Sequence, residues 1–321
     1  MLEDIGFYTL SDRRAMESSA TSPLVRCELI LTGRCNFRCP YCRSVGGEDI
    51  PVLHAEKTLA LWISNGLQNV RFSGGEPTLY PGLLGLVAQA KRGGVKRIAV
   101  STNGSANLDL YYSMVAAGVN DFSISLDACC AEDGDRMAGG RPGAFERVER
   151  AVRELSRVAY TTVGTVLTAD NQEDAERIVL FADGLGAQDI RVIPAAQYGE
   201  RLPALRVGAD LLARHPILRY RVGKFRRGER VRGLSPNDPQ RCGIVLDDMA
   251  VMGRKHYPCI IYLREGGREI GEVGIGMRKE RERWSLEHDC TTDPICSKNC
   301  LDVCRDYNTK FAFYNSKRQG Q

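Results

Sequence analysis

Three cysteines spaced Cys35-x3-Cys39-x2-Cys42 form a loop short enough to grip one small inorganic group. A structural zinc site wants four protein ligands, and the only histidine that follows nearby is His54. A four-iron cluster held by three thiolates keeps one iron open, a place for a chelating molecule. A second group, Cys242, Cys259, Cys290, Cys296, Cys300 and Cys304, occupies the last quarter of the chain, and no cysteine lies between residues 131 and 241. That concentration does not suit small buried hydrophobes and points to a second metal site. The N-terminus has no apolar secretory segment, and no stretch approaches the ~18 apolar residues of a membrane span. Twelve cysteines in 321 residues therefore suggest a cytoplasmic, reducing setting in which clustered thiols bind metal or do redox chemistry.

The elements that must position these loops read as a strand-helix alternation. Candidate strands are Arg26–Thr32, Asn69–Ser73, Arg97–Ser101, Asp121–Leu126, Tyr160–Leu167 and Asp189–Ile193, short and mostly apolar or β-branched. Helix-period segments lie between them at Ala55–Ser64, Leu83–Lys91, Asp109–Ala117, Phe145–Ser156 and Glu173–Gly184. The pattern predicts an α/β fold with a parallel sheet, curled or doubly wound. Its chemistry belongs at the carboxyl ends of the strands, where the punctuated motifs fall. A Pro/Gly/Arg-rich connector then leads to a cysteine-rich segment with few apolar residues, whose missing stability metal ligation would supply. With 43% hydrophobic and 26% charged residues and a formal charge of +4, the composition is that of a globular protein and too weakly basic to announce a nucleic-acid binder.

Cys35-Asn36-Phe37-Arg38-Cys39-Pro40-Tyr41-Cys42, with an aromatic before the last cysteine, resembles the signature of the radical S-adenosylmethionine (SAM) superfamily. The resemblance covers residues 25–195 and implies a partial (β/α)6 TIM-like barrel. It also implies a SAM-binding 4Fe-4S cluster whose reduction cleaves SAM to a 5'-deoxyadenosyl radical that abstracts a substrate hydrogen atom. Gly74, Gly75, Glu76 and Pro77 match the motif that receives the SAM ammonium. Ser101 and Asn103, and Ser125 with Asp127, match the polar residues that meet carboxylate and ribose. Arg136 is a candidate carboxylate partner, while Ile193 and Tyr41 are expected against adenine. Ser101, Asn103, Asp127 and Arg136 are also of types that cap helices and close turns. An electron donor such as flavodoxin or ferredoxin is the partner the resemblance implies.

The C-terminal cysteines resemble the SPASM and twitch branches of that superfamily, though the C-x2-C pair of the full SPASM pattern is missing. One auxiliary 4Fe-4S cluster, held by Cys242, Cys259 and two of the last four cysteines, is the expectation, with a four-thiolate zinc site as the alternative. The expected organisation is an N-terminal arm (1–24), the barrel (25–195), a basic connector (196–241) and a small C-terminal cysteine-rich auxiliary cluster domain (242–321). Cys129 and Cys130, after the fourth strand, are candidate hydrogen-atom donors or core residues; Cys27 reads as core. Asp247 and Asp248 are candidate proton acceptors or an exposed acidic turn. Arg219–Arg232 has seven basic residues in fourteen with interleaved aromatics, and its alternation about Gly228 suits a hairpin that meets phosphates, or a solvated face. The leading expectation is a radical oxidoreductase or epimerase acting on a small polar metabolite such as an aminoglycoside or cyclitol. Modification of a ribosomal peptide or a nucleic-acid base, and a non-catalytic iron-sulfur or zinc scaffold, are the alternatives.

Overall fold

The computed structural model describes residues 10–43, 46–196 and 205–319. The first part of the arm, residues 197–204 of the connector and the last two residues lie outside the described residues.

The barrel runs β1 (Arg26–Thr32), α2 (Val52–Ser64), β2 (Asn69–Gly74), α3 (Leu83–Arg92), β3 (Arg97–Thr102), α4 (Leu108–Ala117) and β4 (Asp121–Ser125). It continues through α5 (Ala131–Met137), α6 (Ala144–Leu155), β5 (Tyr160–Leu167), α7 (Ala175–Gly184) and β6 (Asp189–Pro194), after α1 (Asp12–Glu17) at the start of the chain. The six strands lie in the order β6-β5-β4-β3-β2-β1, all parallel. A doubly wound sheet would reverse that order at a switch point. The unbroken sequence is instead that of a singly wound partial barrel. Strand β1 is buried from Cys27 to Thr32, as expected of a strand covered on both faces. Each helix closes one face on this sheet. In α6 the buried set Phe145, Val148, Ala151, Val152 and Leu155 recurs at helical spacing, and each large apolar side chain so covered contributes about 1.5–3 kcal/mol.

After β6 come α8 (Ala209–Arg214), α9 (Pro216–Arg226), β7 (Asp248–Met252), β8 (Lys255–Tyr257), α10 (Ile260–Arg264) and β9 (Gly271–Glu272). The chain ends in α11 (Met277–Glu287), α12 (Cys296–Asn299) and α13 (Asp302–Gln319). Strand β7 pairs parallel with β1, Arg26 opposite Asp248 and Leu29 opposite Val251, and β8 and β9 extend the sheet antiparallel. Met249, Val251 and Met277 belong to the barrel's main core cluster, and the Trp62 indole of α2 donates to Met249 Sδ at 3.1 Å. The cysteine-rich segment is thus built onto the barrel sheet.

The hairpin expected about Gly228 is a helix. Pro216 opens α9 at a position where its missing N–H costs nothing. Ile217, Leu218 and Val222 are buried along it, and Gly228, at φ +71, follows its last residues as a left-handed stop. The basic run is not solvated throughout either. Arg221 is buried against Asp302, and Lys224 is buried against Glu229 (3.0 Å) and Asp306 (2.8 Å). Arg221 and Lys224 are thus spent on the chain's own carboxylates, while Arg219, Arg226 and Arg227 stand exposed.

Candidate active site

The cysteine loop leaves the end of β1 and is pinned to three neighbours. Asn36 donates to Ser105 Oγ at 2.8 Å and accepts from Asn103 Nδ2 at 2.8 Å. The Arg38 amide reaches Ala138 O at 3.1 Å, and the Tyr41 hydroxyl donates to Asp127. Phe37 is buried in the barrel core. Cys35, Cys39 and Cys42 consequently line one cavity of about 490 Å³ at the carboxyl ends of the strands. Burial, followed by the carboxylate of Asp127, pushes the Cys39 thiol up to about 12. Protons are held there until a metal displaces them. No histidine lines the cavity, so the loop offers three thiols with an open side. That donor set fits a four-iron cluster with one free iron better than closed zinc.

Several of the residues singled out in the sequence meet here. Gly74, Gly75 and Tyr41 line the cavity, as do Ser101, Asn103, Ser125, Asp127 and Ile193. The glycines are demanded first by the backbone: Gly74 has φ +151, and a Cβ on Gly75 would come within 2.2 Å of Arg34 O. Asp127 is pushed up to about 6 by burial, while bonds from Tyr41 and the Val166 amide hold it down.

Other candidates stand away from the lining or are engaged elsewhere. Glu76 does not line the cavity. It is buried and accepts from Thr102 Oγ1 (2.8 Å), the Asn103 amide (2.7 Å) and the Thr78 amide (3.0 Å). Its carboxylate ties the end of β2 to the end of β3, and Pro77 opens the turn it caps. Arg136 is more than half exposed, pairs with Asp133 and stands outside the lining. Cys129 and Cys130 also lie outside it, Cys130 donating to Asp133 at 3.1 Å just before α5. Asp247 and Asp248 are buried rather than an exposed turn. Asp247 accepts from Arg14 Nε at 3.0 and 3.1 Å and is not part of the lining, whereas Asp248 lines the cavity beside Arg26.

The sequence reading missed the cavity's cations. Arg26, Arg43, Arg71, Arg191, Arg221 and Arg264 line it, against three carboxylates, Glu28, Asp127 and Asp248. Arg26 pairs with Glu28 at 2.6 Å and Arg71 with Asp121 at 3.8 Å, and Arg43 and Arg221 pair with Glu265 and Asp302 outside the lining. Among the described residues, Arg191 and Arg264 have no carboxylate within ion-pair distance; Arg191 donates to Ser123 Oγ at 3.2 Å and Arg264 to Gly74 O at 3.4 Å. Burial, then Arg71, Arg221 and Arg26, brings Arg191 down to about 10. The available signal was alternation: Arg26/Glu28, Arg71/Ser73 and Ser123/Ser125 are polar pairs two apart in otherwise apolar strands, and so share one face.

The second cysteine group converges as well. Cys259 and Cys304 line the same cavity, and Cys242, Cys290, Cys296 and Cys300 lie close around them.

A singly wound partial barrel with a three-thiol loop at the mouth of β1 and a second thiol group on the same cavity defines a class of metal-cluster enzyme. Residues 29–182 match the model of the radical SAM superfamily. A protein named probable GTP 3',8-cyclase from Saccharolobus islandicus is 31% identical over 195 residues, covering 59% of this chain and 63% of its own. A counterpart of the same name from Metallosphaera sedula is 27% identical over 179 residues, 53% and 56% of the two chains. The chain thus spans less than two thirds of these relatives' length. In fold it is similar to Streptococcus suis SuiB (TM-score 0.57, 18% identity, 86% of this chain and 67% of that one). It is also similar to anSMEcpe bound to AdoMet and a Cp18Cys peptide (TM-score 0.58, 15% identity, 92% and 97%). The chain carries a domain of the radical SAM superfamily, whose members use a 4Fe-4S cluster and SAM.

Proposed function

We propose that this chain is a radical SAM enzyme acting on a small anionic substrate, a purine nucleoside triphosphate being the first candidate. The observation that carries this reading is that Arg191 and Arg264 face the cavity with no carboxylate within ion-pair distance among the described residues, since cations so placed call for an anionic ligand. The curated relatives named for GTP support the choice of nucleotide. A polycationic aminoglycoside would meet repulsion there, and an uncharged cyclitol would leave Arg191 and Arg264 without counter-charge. With Cys129 and Cys130 outside the lining, the epimerase reading loses these two candidate donors.

When bound, a reduced 4Fe-4S cluster and SAM supply a 5'-deoxyadenosyl radical that abstracts hydrogen. Cys35, Cys39 and Cys42 would hold that cluster. The backbone at Gly74 and Gly75 with Asn103, Ser125 and Asp127 would position SAM, and Tyr41 and Ile193 would border its adenine. Arg71, Arg191 and Arg264 would hold the substrate's negative groups and exclude water from it. An auxiliary cluster would stand beside the same space through Cys259 and Cys304. An electron donor such as flavodoxin or ferredoxin completes the requirement.

The test is release of 5'-deoxyadenosine by anaerobically reconstituted protein with dithionite and SAM. Nucleoside triphosphates should accelerate it by about tenfold or more, as substrates positioned for abstraction do. Acceleration by an aminoglycoside, a cyclitol or a peptide, with none by nucleotides, would overturn the reading. No nucleoside under any condition would leave a scaffold.

A further inference from the structure

The six C-terminal cysteines lie close to one another but differ in what they face. Cys242 is a neighbour of Cys290, and Cys290 of Cys296. Cys300 is a neighbour of Cys304. Cys259 and Cys304 face the cavity, while Cys242, Cys290 and Cys296 do not line it.

A histidine completes the outer set. One ring nitrogen of His288 and the sulfurs of Cys290 and Cys296 all lie within 4.8 Å of one another. Ligands about 2.3 Å from a single tetrahedral ion stand about 3.8 Å apart. Thiolates on a four-iron cube each sit on their own iron and must stand wider. A mutual separation within 4.8 Å leaves room for one ion between them. The ring is also held in place before any metal arrives. It stacks on Trp284 at 4.0 Å between centroids and meets the edge of Tyr262 at 6.1 Å. Its Nε2 is buried without a hydrogen bond, 3.4 Å from Asp293 Oδ2. Asp293 in turn accepts the Tyr262 hydroxyl at 3.0 Å and the Cys296 amide at 2.7 Å. A carboxylate behind a histidine, bonded to the turn that carries a thiol, is the support that metal-ligating histidines need.

We propose that His288, Cys290 and Cys296 hold a single zinc ion, with Cys242, a neighbour of Cys290 that lies outside the 4.8 Å group, closing on it as fourth ligand. Three thiols and one imidazole are a closed zinc donor set, and binding displaces the thiol protons. The remaining thiols, Cys259, Cys300 and Cys304, are left for the auxiliary cluster. The C-terminal region then carries two sites of different metal, one structural and one on the cavity.

The experiment is metal analysis of the anaerobically reconstituted full chain expressed in zinc-supplemented medium, which needs no turnover. The wild type should carry about one zinc beside about eight irons. His288→Ala should lose at least about four fifths of the zinc and keep its iron, and His288→Cys, which preserves the donor count, should recover the zinc. Cys259→Ser should lose about half of the iron and keep the zinc. Wild type without zinc, His288→Ala with zinc unchanged, or iron falling with His288 instead of zinc would each overturn the assignment.

Discussion

The hydroxyl of Tyr41 donates to the carboxylate of Asp127, joining the cysteine loop after β1 to the end of β4. The other carboxylate oxygen accepts the Val166 amide at 2.7 Å, so three segments of the barrel mouth meet at one buried acid. Tyr41→Phe leaves that oxygen without a partner and should cost about 1–3 kcal/mol. The loss is read as a lower urea midpoint together with slower iron uptake during reconstitution. An unchanged midpoint would show that the bond does not hold the loop.

Replacing Cys35, Cys39 or Cys42 with alanine should abolish SAM cleavage while circular dichroism stays that of the native barrel. The loop is pinned by Asn36, Phe37 and Tyr41 rather than by its thiols. Activity surviving in any of the three would refute the cluster site.

Asp247 is expected to act in stability and not in chemistry. Its partner Arg14 also lies over the Tyr307 ring at 4.8 Å, locking α1 to α13. Asp247→Asn leaves the buried guanidinium with only the longer contact to Asp248 at 3.8 Å and should cost about 3 kcal/mol. Protein that remains folded should still release 5'-deoxyadenosine at the wild-type rate per folded chain, and a specific loss of rate would return Asp247 to the active site.

Arg191 is the cleanest probe of the anionic substrate. Arg191→Met keeps the length of the stem and removes a cation that has no carboxylate partner to strand. A substrate whose charge it meets should bind about tenfold or more weakly, the equivalent of about 1.4 kcal/mol, with SAM affinity unchanged in equilibrium binding. Equal binding by variant and wild type would dismiss the contact.

His256 contributes a pH dependence. It is buried between Glu280 (3.0 Å) and Arg281 (3.2 Å), and burial followed by Arg281 holds it down at about 4. Glu280 pulls the other way. The unfolded chain binds this proton near 6.5, so between about 6.5 and 4 the unfolded state holds more protons and stability falls as pH falls. Above that window this contribution is fully present. Unfolding free energies from urea titrations at pH 7 and pH 5 should differ by roughly 1–3 kcal/mol more in the wild type than in His256→Gln.

The six barrel strands and five of their helices were legible because each carries a single period. In β1 (Arg26–Thr32) and β5 (Tyr160–Leu167) even the bounds agree. The added strands were not, since Asp248–Met252 begins with an acid and takes its place from pairing with β1, a contact no local pattern announces. Gly228 misled because a left-handed glycine ends helices as well as hairpins. Glu76 sits within a readable motif, yet only the folded turn shows its oxygens spent on Thr102 and Asn103. The arginine lining and His288 escaped for the opposite reason: each is an ordinary residue until distant segments bring its neighbours to it.

The pairing of β7 with β1 joins residues 222 apart in the chain, Arg26 with Asp248. On the ribosome the first barrel strand is made long before the strand that covers its flank, and until then its amides and carbonyls stand open to any other extended segment. The thiols that follow β7 arrive later still. Translation arrest between the two strands would release a barrel with an adhesive edge. Such truncated products should aggregate unless a chaperone shields that edge.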